Sequence, residues 1–184
     1  MKTRAAILTH LKRPLQIVEL EIPKLKSHQV LARVRATGVC GSQLVEIDGV
    51  KGPDRFLPHC LGHEAGAVVE AVGPGVQKTK PGDHVVLHWR PGTGADAEPA
   101  RYRWNGRTVN AGRVTTFQEH TVVSENRLTV IPKSVPFETA ALYGCAVTTG
   151  FGIVANDAAL KKGETVLVLG SGGIGQVQIL AARD

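Results

Sequence analysis

Residues 165–175 read Thr165-Val166-Leu167-Val168-Leu169-Gly170-Ser171-Gly172-Gly173-Ile174-Gly175. The first five are a continuous apolar run, the pattern of a strand buried on both faces of a parallel sheet. The next six spell G-x-G-x-x-G. They lead into 174–183, where Ile174, Val177 and Ala181 recur at helical spacing. A glycine loop between a buried strand and a helix is the context that gives this motif weight. Gly170 permits the tight turn, Gly172 lets backbone approach a pyrophosphate, and Gly175 lets helix and strand pack closely. Phosphates would sit at the helix N-terminus, where unpaired N–H groups and the helix dipole favour anions. The acidic residue that reads the ribose hydroxyls is expected about 20 residues further on, beyond Asp184, so NAD and NADP are not distinguished.

The preceding sequence has another character. Val18, Leu20 and Ile22 alternate with Glu19 and Glu21; Val30, Ala32, Val34 and Ala36 alternate with Leu31, Arg33 and Arg35. A period of two marks strands with one face inward. Short apolar runs follow at 67–72, 85–87, 121–123 and 128–131, separated by Gly73-Pro74-Gly75, Pro81-Gly82-Asp83, Pro91-Gly92 and Asn105-Gly106. Residues 1 to about 135 therefore read as a β barrel or sandwich. After Pro136 the segments 137–142 and 148–160 favour helix. The expected fold class is α/β overall: a β unit over 1–150, then the start of a parallel α/β unit over 151–184. One strand and one helix cannot bury both strand faces, so the second domain is expected to be only begun and the chain to be a fragment.

Composition excludes several classes. Of 184 residues 42% are hydrophobic and 21% charged, with aromatics only 4%; these values are globular, not those of a disordered chain. No apolar run approaches the roughly 18 residues of a membrane helix, and the N-terminus lacks a signal-peptide core. The net charge of +6 comes without a Lys/Arg run interleaved with aromatics, so neither nucleic acid nor membrane is expected as a partner. Three scattered cysteines, Cys40, Cys60 and Cys145, argue against a disulfide framework and for a cytoplasmic protein whose thiols are buried or bind metal. Cys40, His63 and Cys145 contain a known catalytic-zinc donor set, two Cys and one His, which leaves one coordination position open. Cys60 and neighbouring His59 read as core residues instead.

Five motifs occur in order: Val39-Cys40-Gly41-Ser42, Leu61-Gly62-His63-Glu64, Pro81-Gly82-Asp83, Gly144-Cys145 followed by Thr148-Thr149-Gly150, and the glycine loop. Together they resemble the zinc-dependent medium-chain dehydrogenases, the alcohol dehydrogenase family. The resemblance implies a GroES-like, partly open β-barrel catalytic domain followed by the first β-α unit of a Rossmann fold. It implies one catalytic Zn2+ on Cys40, His63 and Cys145, with Glu64 beside it as a transient ligand. It implies Ser42 as the hydroxyl that receives the substrate proton, Thr149 near the nicotinamide, and Gly170, Gly172, Gly173, Ile174 and Gly175 around NAD or NADP. Trp89 falls near a position lining the substrate pocket. The implied reaction is hydride transfer between a small-molecule alcohol or carbonyl and the dinucleotide, in a homo-oligomer when full length. Two alternatives stay open: a zinc-free reductase of quinone or enoyl type, and a fragment that folds its barrel without binding dinucleotide.

Departures from the family pattern are informative. Gln43 stands for the usual Asp, leaving a side-chain carbonyl to accept from the imidazole; Val45 stands for a relay histidine, and Ala67 for a glycine. The stretch Arg90–Arg113 has no cysteine, which excludes a four-cysteine structural zinc. It carries Arg90, Arg101, Arg103, Arg107 and Arg113 instead. They read as a solvated hairpin lobe turning at Asn105-Gly106, or as an anion or subunit contact.

Overall fold

The computed structural model describes residues 1–183. Ten strands precede the main helices: β1 Lys2–Leu8, β2 Gln16–Glu21, β3 Gln29–Thr37, β4 His59–Cys60, β5 Glu64–Val72, β6 His84–His88, β7 Arg101–Trp104, β8 Arg107–Asn110, β9 His120–Ser124 and β10 Leu128–Ile131. Strands β1, β2, β7, β8 and β4 form the expected barrel, closed by the parallel contact of His59 with Asn110. The other five lie side by side in the order β10-β6-β5-β3-β9. Strand β3 serves both units. Val30 and Ala32 enter the sheet core with Val85, Leu87 and Val123, while Leu31 turns to the barrel core with Ile7, Leu20 and Val109. Alternation therefore buries both faces at its start, and Arg33, Arg35 and Thr37 further along reach solvent.

The barrel core is built around Tyr102. Its ring is wholly buried. Its hydroxyl accepts from the Val122 N–H at 2.9 Å and from Gln118 Nε2 at 3.1 Å, which satisfies the polar tip of an otherwise apolar side chain. Burial pushes the phenol well above its ordinary pKa. The β7–β8 hairpin turns at Asn105 and Gly106, both at positive φ (50° and 76°), as a two-residue loop requires. Arg101, Arg103 and Arg107 point outward from it and Arg113 pairs with Asp96, as the hairpin-lobe reading expects.

Three expectations need correction. Residues 41–47, which the sequence reading places in the β region, form helix α1, Gly41–Ile47. Its start is held by Gln43 Oε1, which accepts the Cys40 N–H at 2.8 Å. The helix expected over 148–160 begins earlier, as α3 Ala146–Gly152, and ends in a π-helical turn over Ile153–Asp157. The segment 165–169, expected as a buried strand, pairs with no strand among the described residues. Leu167 and Leu169 are 81% and 88% exposed. A strand buried on both faces needs neighbours on both edges and cover on both sides, and the described residues supply none here. Helices α2 Phe137–Leu142 and α4 Gly173–Arg183 follow the sequence reading closely. Helix α2 lies so near β5 that a Cβ on Gly66 would stand 2.4 Å from the Phe137 carbonyl oxygen.

Replacing Tyr102 by Phe should cost about 1–3 kcal/mol, because the Val122 N–H and the Gln118 amide would lose their buried partner. Denaturant unfolding measures this, and an unchanged midpoint would contradict the role given to the hydroxyl.

Candidate metal centre

Each donor residue comes from a different local setting. Cys40 is the extended residue (φ −114°, ψ 152°) that ends the run from β3 and caps α1. His63 immediately precedes β5, and Cys145 immediately precedes α3. The chain reaches His63 through Gly62, whose φ of 94° is closed to most side chains and whose Cβ would meet Thr116 Oγ1 at 2.4 Å. It reaches Cys145 through Gly144, where a Cβ would stand 2.3 Å from the Leu87 carbonyl oxygen and 2.6 Å from Glu64 Cβ. These close approaches bring one donor atom from each of Cys40, His63 and Cys145 within 4.8 Å of one another.

Donor chemistry and surroundings suit a metal ion. His63 Nδ1 faces Gln43 Nε2 at 2.7 Å. His63 Nε2 is buried without a hydrogen-bond partner among the described residues, and a buried unpaired nitrogen is costly unless something occupies it. Burial lowers the His63 pKa and raises that of Cys145. Both shifts describe donors withdrawn from water, which a cation would compensate. Thr149 Oγ1 lies 3.9 Å from Cys145 Sγ.

One side chain of the site, Gln43, differs from expectation, and Ser42 and Glu64 flank the donor set. Gln43 presents its amide nitrogen, not its carbonyl, to the imidazole, because its Oε1 is committed to the Cys40 N–H. An NH2 group only donates, so Nδ1 accepts and the ring proton stays on Nε2. Ligation through Nε2 moves that proton to Nδ1 and requires the Gln43 NH2 to turn away from it. Ser42 Oγ approaches His63 Nδ1 at 3.4 Å and is exposed. Glu64 stands outside the donor set: its Oε2 accepts the Ala146 N–H at 3.3 Å. Burial raises its pKa, opposed by N–H bonds from Ala146 and Cys145. Its Oε1 fills the space that a Cβ on Gly38 would need. Glu64 thus ties the Cys145–Ala146 segment to the head of β5. Trp89 is exposed beneath the Arg90 guanidinium, 5.1 Å from its ring centre. Cys60 is buried in the barrel core and its thiol is pushed up to about 12 by burial.

The glycine loop lies apart from this cluster in sequence. Gly170 has φ 105°, and a Cβ on Gly175 would stand 2.0 Å from the Gly170 carbonyl oxygen, so the first and last glycines make the tight turn. Cβ atoms on Gly172 and Gly173 would meet nothing within 4 Å, which leaves the α4 N-terminus open to a ligand. Helix α4 packs on α3, with Val177 against Gly150. No helix among the described residues is long and apolar enough to cross a membrane.

Residues 26–133 match the alcohol dehydrogenase GroES-like domain family. An S-(hydroxymethyl)glutathione dehydrogenase of Synechocystis is 35% identical over 209 residues, covering 100% of this chain and 56% of that relative. The Escherichia coli protein of the same name gives the same identity and coverage. Among solved structures, an alcohol dehydrogenase zinc-binding domain protein from Burkholderia ambifaria superimposes with TM-score 0.88 at 30% identity, over 100% of this chain and 56% of that one. Benzyl alcohol dehydrogenase from Acinetobacter calcoaceticus gives 0.84 at 28%, with the same coverage. The chain spans just over half the length of these relatives.

Alanine at Gly144 should displace Cys145, because the clash is with backbone. Metal affinity should fall on the order of tenfold or more, the scale for losing a support of a ligand. Alanine at Gly106, which meets nothing within 4 Å, should leave it unchanged. Metal content after dialysis against graded chelator separates these outcomes.

Proposed function

The chain belongs to the alcohol dehydrogenases with a GroES-like domain, and from that membership we propose that it supplies the catalytic half of a zinc-dependent oxidoreductase that moves hydride between an alcohol or carbonyl and NAD(P). The observation that carries this reading is the convergence of Cys40, His63 and Cys145 donor atoms within 4.8 Å, with His63 Nε2 buried and unpaired among the described residues. Two thiolates and one imidazole are a catalytic zinc donor set with one position left for substrate. This favours the zinc enzyme over a zinc-free quinone or enoyl reductase. We assign residues 1–150 to the catalytic unit and 151–184 to the beginning of a nucleotide-binding unit, with the division falling inside α3.

When bound, zinc supplies a Lewis acid that stabilises negative charge developing on the substrate oxygen. Cys40 and Cys145 offset much of the ion's charge. Ser42, exposed and within 3.4 Å of His63 Nδ1, accepts the substrate proton and passes it to water, since Val45 offers no relay. Glu64 is a positioning residue that fixes Cys145 through the Ala146 N–H. Thr149, beside Cys145, would face the nicotinamide. Gly170, Gly172, Gly173, Ile174 and Gly175 would hold the pyrophosphate at the start of α4, where Cβ-free backbone can come close. The unpaired 165–169 segment supports a further expectation: residues 1–184 alone bind metal but not dinucleotide tightly.

The full-length protein should take up one zinc per chain through these residues and reduce NAD(P)+ with an alcohol. Cys145→Ser should lose metal and turnover together; retention of both would refute the assignment. In metal-free 1–184, iodoacetamide at pH 8 should modify Cys40 and Cys145 but spare Cys60, whose thiolate is scarce below a pKa of about 12. Zinc should protect the first two. Rapid modification of Cys60 in the native protein would contradict its buried placement.

A further inference from the structure

The loop 48–58 joins α1, which Cys40 caps, to β4, which leads into His63. His59, the first residue of β4, is buried against this loop. Its Nδ1 lies 3.0 Å from the Cys60 carbonyl oxygen, and its Nε2 lies 2.8 Å from Asp54 Oδ2 in the loop. Asp54 Oδ1 accepts the Phe56 N–H at 2.7 Å. The Phe56 carbonyl accepts from Asn110 Nδ2 at 2.7 Å, and the Pro58 carbonyl accepts the Asn110 N–H at 2.9 Å. Asn110 is also the β8 residue that pairs with His59 where the barrel closes. Among the described residues, two acids face the imidazole: Asp54 from the loop and Glu46 from α1, whose Oε1 is 3.8 Å from Nε2. Glu46 is about half exposed, so water screens its attraction. Asp54 is the effective partner.

Both ring nitrogens of His59 thus face acceptors. A carbonyl oxygen and a carboxylate oxygen take a hydrogen and offer none. A neutral imidazole has a single N–H, so in either tautomer one of the two short contacts would set lone pair against lone pair. Only a ring with a hydrogen on each nitrogen makes both bonds. A proton between Nε2 and Asp54 resides on the ring, because imidazole is the stronger base, with an ordinary pKa of about 6.5 against about 3.9 for an aspartic acid. The resulting ion pair is largely withdrawn from water, with side-chain exposures of 6% and 15%. A buried charge is tolerated when it is paired and hydrogen-bonded in this way.

We propose that His59 is a positioning residue: a cationic imidazole that pins the 48–58 loop to β4 and so fixes the separation of Cys40 from His63. The strand side of this clamp is already rigid. Between His59 and His63 the Leu61 carbonyl accepts the Thr116 and Phe117 N–H groups at 2.9 and 3.0 Å. The ion pair supplies a corresponding hold on the side of α1 and its loop. Its consequence for metal binding rests on the zinc-centre reading; the two hydrogens on the ring do not.

Long-range 1H–15N correlation spectra of the zinc-loaded full-length protein, labelled with 15N-histidine at neutral pH, test the ring directly. The signals lost in His59→Gln identify it. Its two nitrogens should resonate close together, as in an imidazolium; a widely split pair, the mark of a neutral tautomer, would overturn the proposal. Asp54→Asn keeps an acceptor oxygen but removes the charge, so the His59 signals should become a split pair. Zinc affinity, from competition with a chelator, should fall about tenfold in Asp54→Asn, the low end for losing a support of a ligand. His59→Gln should cost the same, and the double variant no more than either, because the two side chains act as one unit. Unchanged zinc affinity in both single variants, or losses that multiply in the double variant, would overturn the positioning role. If His59→Gln fails to fold, Asp54→Asn and the spectrum of the unsubstituted protein still decide. Failure of the unsubstituted protein to take up zinc would sink the oxidoreductase reading instead, and the spectrum would then decide the state of His59 by itself.

Discussion

The contact on which the site depends is the seam between Gly144, the start of β5 and the end of β6. With no side chain at Gly144, the backbone lies directly against the Leu87 carbonyl and the Glu64 stem. Glu64 then reaches across to the Ala146 N–H, and Thr37 Oγ1 donates to the Glu64 carbonyl at 2.8 Å. The end of β3, the start of β5 and the start of α3 are thereby locked to one another. Cys40, His63 and Cys145 sit next to these three points. A donor set assembled from distant segments needs rigid elements behind it. Here that support is a close-packed sheet core whose central side chains are small: Ala32, Ala65 and Ala67 beside Val30, Val85 and Leu87.

The same constraint explains the glycines near the site. Gly38 leaves room for the Glu64 carboxylate, Gly62 adopts a positive φ against Thr116, and Gly66 admits α2. Each tolerates a close approach that a Cβ would block. The glycine expected at residue 67 from the family pattern is alanine, packed in the sheet core, while Gly66 on the opposite face meets Phe137 directly. The barrel is a separate structural unit around Tyr102, joined to the sheet through the two buried faces of β3.

Much of this was legible in the sequence, for physical reasons. Alternation marked β2 and β3, glycine-proline turns bounded β5 and β6, and Asn105-Gly106 specified its hairpin. The ordered motifs pointed to a donor set that the fold brings together. Other features were hidden. Helix α1 is short, and what starts it is the Gln43 side chain turning back to the Cys40 N–H, a contact that hydrophobic periodicity does not register. That contact also decides which end of the Gln43 amide meets His63, so the expected carbonyl faced the wrong way. The apolar run 165–169 reads as a strand because its composition reports the burial it is suited to; strand formation also needs partners, which composition cannot supply. Glu64 was legible as a residue of the site, but its bond to Ala146 follows from tertiary packing alone.

The central claim is a single ion held by two sulfurs and one imidazole. X-ray absorption at the zinc edge of the zinc-loaded protein tests it most directly. The account requires a first shell with two sulfurs at about 2.3 Å and the remaining donors nitrogen or oxygen at about 2.0–2.1 Å. A shell without sulfur, or with a third sulfur recruited from Cys60, would contradict it.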